Sequence, residues 1–267
     1  MSAIEISRPQ PGVVQVTMNR PAKLNALTAE LVTDLHGALD DIAVDPDARV
    51  VVLTGAGRGF CAGLDLGGFG TPPHTEHLGP TQRGFAVQRL IANVIPHLRS
   101  LPQPVIAAVN GPAAGGGFAF VLGSDVRLAA RSAKFNAAFI RIGLSACDIG
   151  TSWLLPRLVG AARAQELMVT GRIFDAEEAY RIGLVVDLVD DDALLDTAYA
   201  KATEIMRNTP FGVALTKEGM WSALEIPGMQ QAIDLENRQQ IMASATKDHR
   251  EAMQAFLERR DPTYTNS

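Results

Sequence analysis

The chain has 267 residues, 47% of them apolar and 20% charged, which suits one large domain with a sizeable core and excludes a disordered chain. A net charge of -5 argues against a nucleic-acid binder, although a local basic patch for phosphates stays open. Two cysteines, Cys61 and Cys147, are too few for a disulfide framework, and no apolar run reaches the ~18 residues of a membrane span. The opening residues carry neither a basic nor an apolar leader pattern, so a soluble, cytoplasmic protein is expected.

The elements follow in chain order. Val13 to Met18 alternates and is rich in β-branched residues, which predicts a strand. Leu27, Leu31, Leu35, Leu39 and Ile42 recur at helical spacing over 25–44, with Thr28 as a candidate N-cap. Val50 to Thr54 reads as a buried strand and runs into a glycine-rich loop, 55–70. Residues 71–82 read as an exposed loop, and 85–99 as a helix. Val105 to Val109 is a further buried strand. It ends in Asn110-Gly111-Pro112 and the triple glycine 115–117, before a helix over 118–122. Short strands are expected at 126–130 and 134–139. Helices dominate from about 153: 161–170, 176–181 capped by Asp175, 192–208, one starting at Pro210, and a long charged helix over 230–259. The βα alternation predicts an α/β core over 1–200 with a helical region over 201–267.

The glycines exclude three familiar sites. Gly55-Ala56-Gly57-Arg58-Gly59-Phe60 lacks the third glycine of a dinucleotide fingerprint, and no Gly-Lys-Ser/Thr ends a P-loop. Gly143-Leu144-Ser145-Ala146-Cys147 fails as a nucleophile elbow at its last position. What is left is a pair of strand-to-loop turns with free backbone N–H groups, the second at a helix N-terminus. They are either tight turns for packing or two halves of an oxyanion hole.

Residues 54–65 (Thr-Gly-Ala-Gly-Arg-Gly-Phe-Cys-Ala-Gly-Leu-Asp) and 104–117 resemble the two oxyanion segments of the crotonase, or enoyl-CoA hydratase/isomerase, superfamily. Residues 171–185 resemble its later signature, and Asn19-Arg20-Pro21 with Leu24-Asn25-Ala26-Leu27 its N-terminal one. The resemblance spans about residues 4–260. It implies an α/β fold made of a spiral of ββα units with a C-terminal helical region, assembled as a homotrimer or hexamer. It also implies an acyl-CoA substrate whose thioester oxygen is held by the N–H groups of Leu64 and Gly116. Lys23, Ala62 and Asp65 would contact coenzyme A, together with Phe256 and Arg259 near the C-terminus, often supplied by a neighbouring subunit. Coenzyme A enters as part of the substrate, and neither a separate cofactor nor a metal is implied.

The chain departs from the hydratases at both of their glutamates, where the resemblance puts Ala119 and Phe139. Neither side chain can activate water or protonate carbon. Asp148 lies just beyond, where dienoyl-CoA isomerases place an acid/base and an aryl-CoA dehalogenase a nucleophile, though one residue further from Gly143 than in those members. Its sequence neighbours Ile149 and Trp153 are apolar, an environment that disfavours a charged carboxylate; it also fits a cap for the helix starting near Gly150. Three readings follow: an isomerase working through an enolate with Asp148 as acid/base, a non-catalytic acyl-CoA binder, or a hydrolase- or dehalogenase-like enzyme with Asp148 as nucleophile. Arg141, expected on a strand, the cysteines and the His74/His77 pair are weaker candidates.

Overall fold

The computed structural model describes residues 2–267. Ile4–Gln10 (β1) pairs antiparallel with Val13–Met18 (β2). After Ala29–Ala43 (α1), Val50–Gly55 (β3) joins β2 in parallel. Pro80–Ala92 (α2) and Val94–Ser100 (α3) lead to Val105–Val109 (β4), Ala113–Ala114 (β5) and Gly116–Gly123 (α4). Val126–Ala130 (β6), Lys134–Asn136 (β7), Thr151–Val159 (α5) and Ala161–Thr170 (α6) follow. Then come Phe174–Asp175 (β8), Ala176–Arg181 (α7) and Asp187–Val189 (β9). Leu194–Met206 (α8), Pro210–Ala223 (α9), Met229–Ser244 (α10) and Lys247–Glu258 (α11) complete the chain.

The main sheet runs β1-β2-β3-β4-β6-β9, and a small second sheet runs β5-β7-β8. The chain alternates between them: β3 is followed by a Cys61–Ala113 bridge toward the second sheet, β4 by β5, and β6 by β7. Helices close each turn of this spiral, which gives the α/β architecture expected from the sequence. The strands are apolar on both faces because both are covered. Val14, Val16, Val51, Leu53, Val105 and Ala107 face the larger core with α1, α3 and α4. Val13, Val50, Val52, Ile106 and Ala108 face α8 through Leu194, Ala198 and Ala202.

Local chemistry sets the helix ends. Thr28 accepts from the Leu31 N–H and Asp175 from the Glu178 N–H, so both expected caps form. Four expectations change. The helix predicted over 85–99 begins at Pro80, whose ring suits a first helical position, and divides at Asn93. The helix over 192–208 opens with a 3-10 turn, Asp191–Ala193. The strand over 134–139 stops at Asn136, which pairs with Ala114, the last residue of β5; a 3-10 turn, Ala138–Ile142, takes over. The helix over 230–259 is two, since Thr246 caps α11 by accepting from the His249 N–H.

The helical C-terminal part is fastened by a buried cation. Lys217 on α9 donates to Leu98 O, to Gln103 O and to Asp125 Oδ2 at 2.8, 3.0 and 2.8 Å. Trp221 Nε1 donates to the other oxygen of Asp125. Burial lowers the Lys217 pKa, and the Asp125 charge opposes that shift. Among the described residues no helix is long and apolar enough to cross a membrane.

Candidate active site

The parallel register places the ends of β3 and β4 side by side, so the loops after Gly55 and Val109 leave the same edge of the sheet. Ligands of open α/β sheets gather at that edge. Two asparagines pin the first loop. Buried Asn25, itself left-handed at φ 57°, donates to Gly59 O at 2.7 Å and to Ala56 O at 3.0 Å. Asn110 donates to Gly55 O and Gly57 O and accepts from the Gly55 N–H. This accounts for the N-terminal Leu24-Asn25-Ala26-Leu27 motif, whose side-chain amide organises a loop thirty residues away in sequence.

The next residues alternate their backbone partners. Cys61 uses its N–H and C=O on Pro112 and Ala114. Leu27 uses both of its groups on Gly63 O and the Asp65 N–H, in a parallel bridge that turns the Leu64 N–H the other way. Gly63 lies at φ +86°, and a Cβ there would sit 2.7 Å from Ala114 O and 3.5 Å from Gly116 N. Gly63 is therefore what lets the first loop close on the second. Gly116 opens α4, so its N–H has no intrahelical partner. Neither the Leu64 nor the Gly116 N–H has an acceptor among the described residues. The Leu64 side chain is exposed, and the wall around Gly116 comes from Leu27 and Ile149.

Ala119 is fully buried one turn into α4, and the Phe139 ring lies over Gly115. Both apolar side chains thus stand beside the second loop. Asp148 is half-buried. Its Oδ1 accepts from Gln88 Nε2 on α2 and from the Ile149 N–H at 2.8 Å, while Oδ2 has no partner among the described residues. Trp153 turns to Arg99, Arg157 and Trp221. Asp148 does not cap α5 with its side chain. The N-cap is Gly150, and Asp148 contributes only its backbone carbonyl to the Thr151 N–H. Gln88 was not legible as a neighbour of Asp148, because their contact depends on tertiary placement.

Asp65 is held by Arg20 Nη2 at 3.0 Å and by the Gly67 N–H, and these bonds keep its carboxyl below the usual range. Arg20 also donates to Ala26 O, so the pair braces the first loop. Lys23 is exposed on the preceding 3-10 turn and near enough to Asp65 to lower its pKa further. Ala62 donates its N–H to Leu24 O. Phe256 and Arg259 end α11; Phe256 is 84% exposed beside exposed Met253 and Leu257. No hydrogen bond or ion pair among the described residues ties them to Leu64 or Gly116 of the same chain.

The weaker candidates recede. Burial pushes the Cys61 thiol up to about 12, which makes it a poor nucleophile. Arg141 lies on the 3-10 turn rather than a strand, exposed, with its stem against Gly171. Among the described residues no three His, Cys, Asp or Glu side chains converge as metal ligands.

Comparison with known proteins agrees with this geometry. The family profile described as enoyl-CoA hydratase/isomerase matches residues 8–267. The chain is 42% identical over 267 residues to the "Probable enoyl-CoA hydratase EchA12" of Mycobacterium tuberculosis, covering 100% of this chain and 94% of that one. It is 41% identical over 261 residues to the 1,2-epoxyphenylacetyl-CoA isomerase of Escherichia coli, covering 97% of each. A crystal structure of a probable enoyl-CoA hydratase/isomerase from Mycobacterium abscessus matches with TM-score 0.94 and 39% identity over 100% of both chains. A monofunctional enoyl-CoA isomerase from M. smegmatis matches with TM-score 0.74 and 41% identity, over 87% of this chain and 99% of that one.

Proposed function

Because the chain belongs to the enoyl-CoA hydratase/isomerase family and is an enzyme of it, we propose that it moves a carbon–carbon double bond in an acyl-CoA thioester through an enolate. The observation that carries this reading is the pair of N–H groups at Leu64 and Gly116 that have no acceptor among the described residues, with apolar Ala119 and Phe139 at the second loop and Asp148 preceding Ile149, whose side chain walls Gly116. Removing a proton next to the thioester carbonyl puts negative charge on its oxygen. The Leu64 and Gly116 N–H groups hold that oxygen, and each such donor is worth roughly 2.7–4 kcal/mol in the transition state. Asp148 Oδ2 takes the proton from one carbon and returns it to another, so the double bond shifts and the enzyme ends as it began.

Hydration asks for more: one group to activate water and one to protonate carbon. Ala119 and Phe139 supply neither, and the Phe139 ring keeps the second loop dry. The name of one similar protein at 41% identity, a monofunctional enoyl-CoA isomerase, supports the choice; the other isomerase, also at 41%, is named for an epoxide substrate. For coenzyme A, Lys23 offers a cation to the phosphates near Ala62 and Asp65. Phe256 and Arg259 add to this from a neighbouring copy in a trimer or hexamer, for which the exposed end of α11 is suited. No electron carrier or metal is required by the step as written.

Replacing Asp148 tests the reading. Asp148→Asn is expected to lower isomerisation by on the order of 10²–10⁴-fold and to leave saturable acyl-CoA binding in place. Undiminished isomerisation in the variant contradicts the assignment. Free coenzyme A among the wild-type products points instead to Asp148 as a nucleophile.

A further inference from the structure

We propose that Gln88 is a positioning residue for Asp148: its side-chain amide, reaching from α2, decides which carboxylate oxygen exchanges protons with the substrate. The inference rests on the reading of Asp148 as the acid/base.

Oδ1 of Asp148 accepts two N–H bonds, from Gln88 Nε2 and from the Ile149 backbone, while Oδ2 accepts none among the described residues. An oxygen that already accepts twice has its lone pairs engaged, and protonating it would break a bond. The mobile proton therefore belongs to Oδ2. Gln88 is neutral, so it orients the carboxylate without the added charge of an arginine or lysine. No ion pair among the described residues engages Asp148, which leaves its two N–H donors as its direct polar partners.

The backbone is held from the other side. Ile149 lies at φ 45° and Gly150 at φ 75°; for a β-branched residue the left-handed region is a costly conformation. Ile149 is buried, with its Cδ1 3.3 Å from where a Gly116 Cβ would stand. Asp148 is thus fixed between a wedge seated on Gly116 and an amide donated from α2. Gln88 lies sixty residues before its partner, on the helix that follows the 71–79 segment, in which Pro72 and Thr75 are buried and most other residues exposed.

Isomerisation kinetics of Gln88→Met and Gln88→Glu, measured beside Asp148→Asn, test the proposal. Gln88 is exposed, so both variants are expected to melt with the wild type, and the near-isosteric Glu variant serves if Met perturbs α2. Gln88→Met is expected to lower kcat about tenfold or more with KM little changed, a split that a purely structural role would not produce. Gln88→Glu, which sets an acceptor where the amide donated, is expected to lower kcat at least as far, again with KM little changed. If both variants keep wild-type kcat while Asp148→Asn is inactive, the role of Gln88 falls and the acid/base reading stands. If Asp148→Asn isomerises normally, the acid/base reading fails, and the proposal with it.

Discussion

Asp65 shows how a side chain next to a reacting group can serve the scaffold. Its carboxyl is kept below the usual range first by Arg20 and then by the Gly67 N–H. A folded-state pKa lowered in this way stabilises the fold above the ordinary aspartate value and stops doing so as pH falls through the lower one. Asp65→Asn is therefore expected to lower Tm at neutral pH, and the gap to close as pH drops below ~3.9. Parallel melting curves across that range would contradict the assignment. Legibility at this scale was uneven. Leu64, Gly116 and Asp148 stand in or beside short motifs, and resemblance makes them candidates. Gln88 stands in no motif, and its contact with Asp148 exists only because α2 is laid across the α5 entry segment.

At the scale of elements, the two loops meet through backbone geometry that few residues tolerate. Gly63 combines φ +86° with a Cβ position 2.7 Å from a carbonyl oxygen, and Gly117 would put a Cβ 2.2 Å from Cys61 O. Neither neighbour is a flexible side chain, so the backbone itself must move. Gly63→Ala is expected to lower kcat on the order of 10²-fold by displacing the Leu64 N–H. Wild-type rates in that variant, measured with its Tm, would mean that the two loops need not close on each other. Thr28→Ala, by contrast, removes only the cap of α1 and is expected to cost about 1 kcal/mol of stability by urea unfolding, with kcat intact. Buried strands and capped helices could be read from the sequence because their signals are local. The extent of β7 could not, because it is set by where its partner β5 ends, and the break at 245–246 hides within a continuous helical pattern.

Across the whole molecule, the C-terminal helices are joined to the sheet by Lys217, which is 7% exposed and meets Asp125 and two carbonyls. Removing one partner of a buried pair leaves the other charged in a dry site. Lys217→Met is expected to destabilise the protein by about 3–5 kcal/mol in urea unfolding. A loss below about 1 kcal/mol would place the pair with exposed ones. The parallel sheet presents both loops at one edge, the spiral brings the second sheet beneath them, and the site follows from that topology. Family membership was legible over nearly the whole chain because the motifs mark turns whose geometry the fold requires. The proposed reaction within the family rests on Ala119, Phe139 and Asp148.

The most direct test of the central claim is mass spectrometry of a panel of enoyl- and dienoyl-CoA esters incubated with the enzyme in heavy water. Double-bond migration through an enolate predicts deuterium entering carbon without any gain of a water mass, and no such exchange with Asp148→Asn. A product heavier by one water would contradict it and show a hydratase that works without its two glutamates.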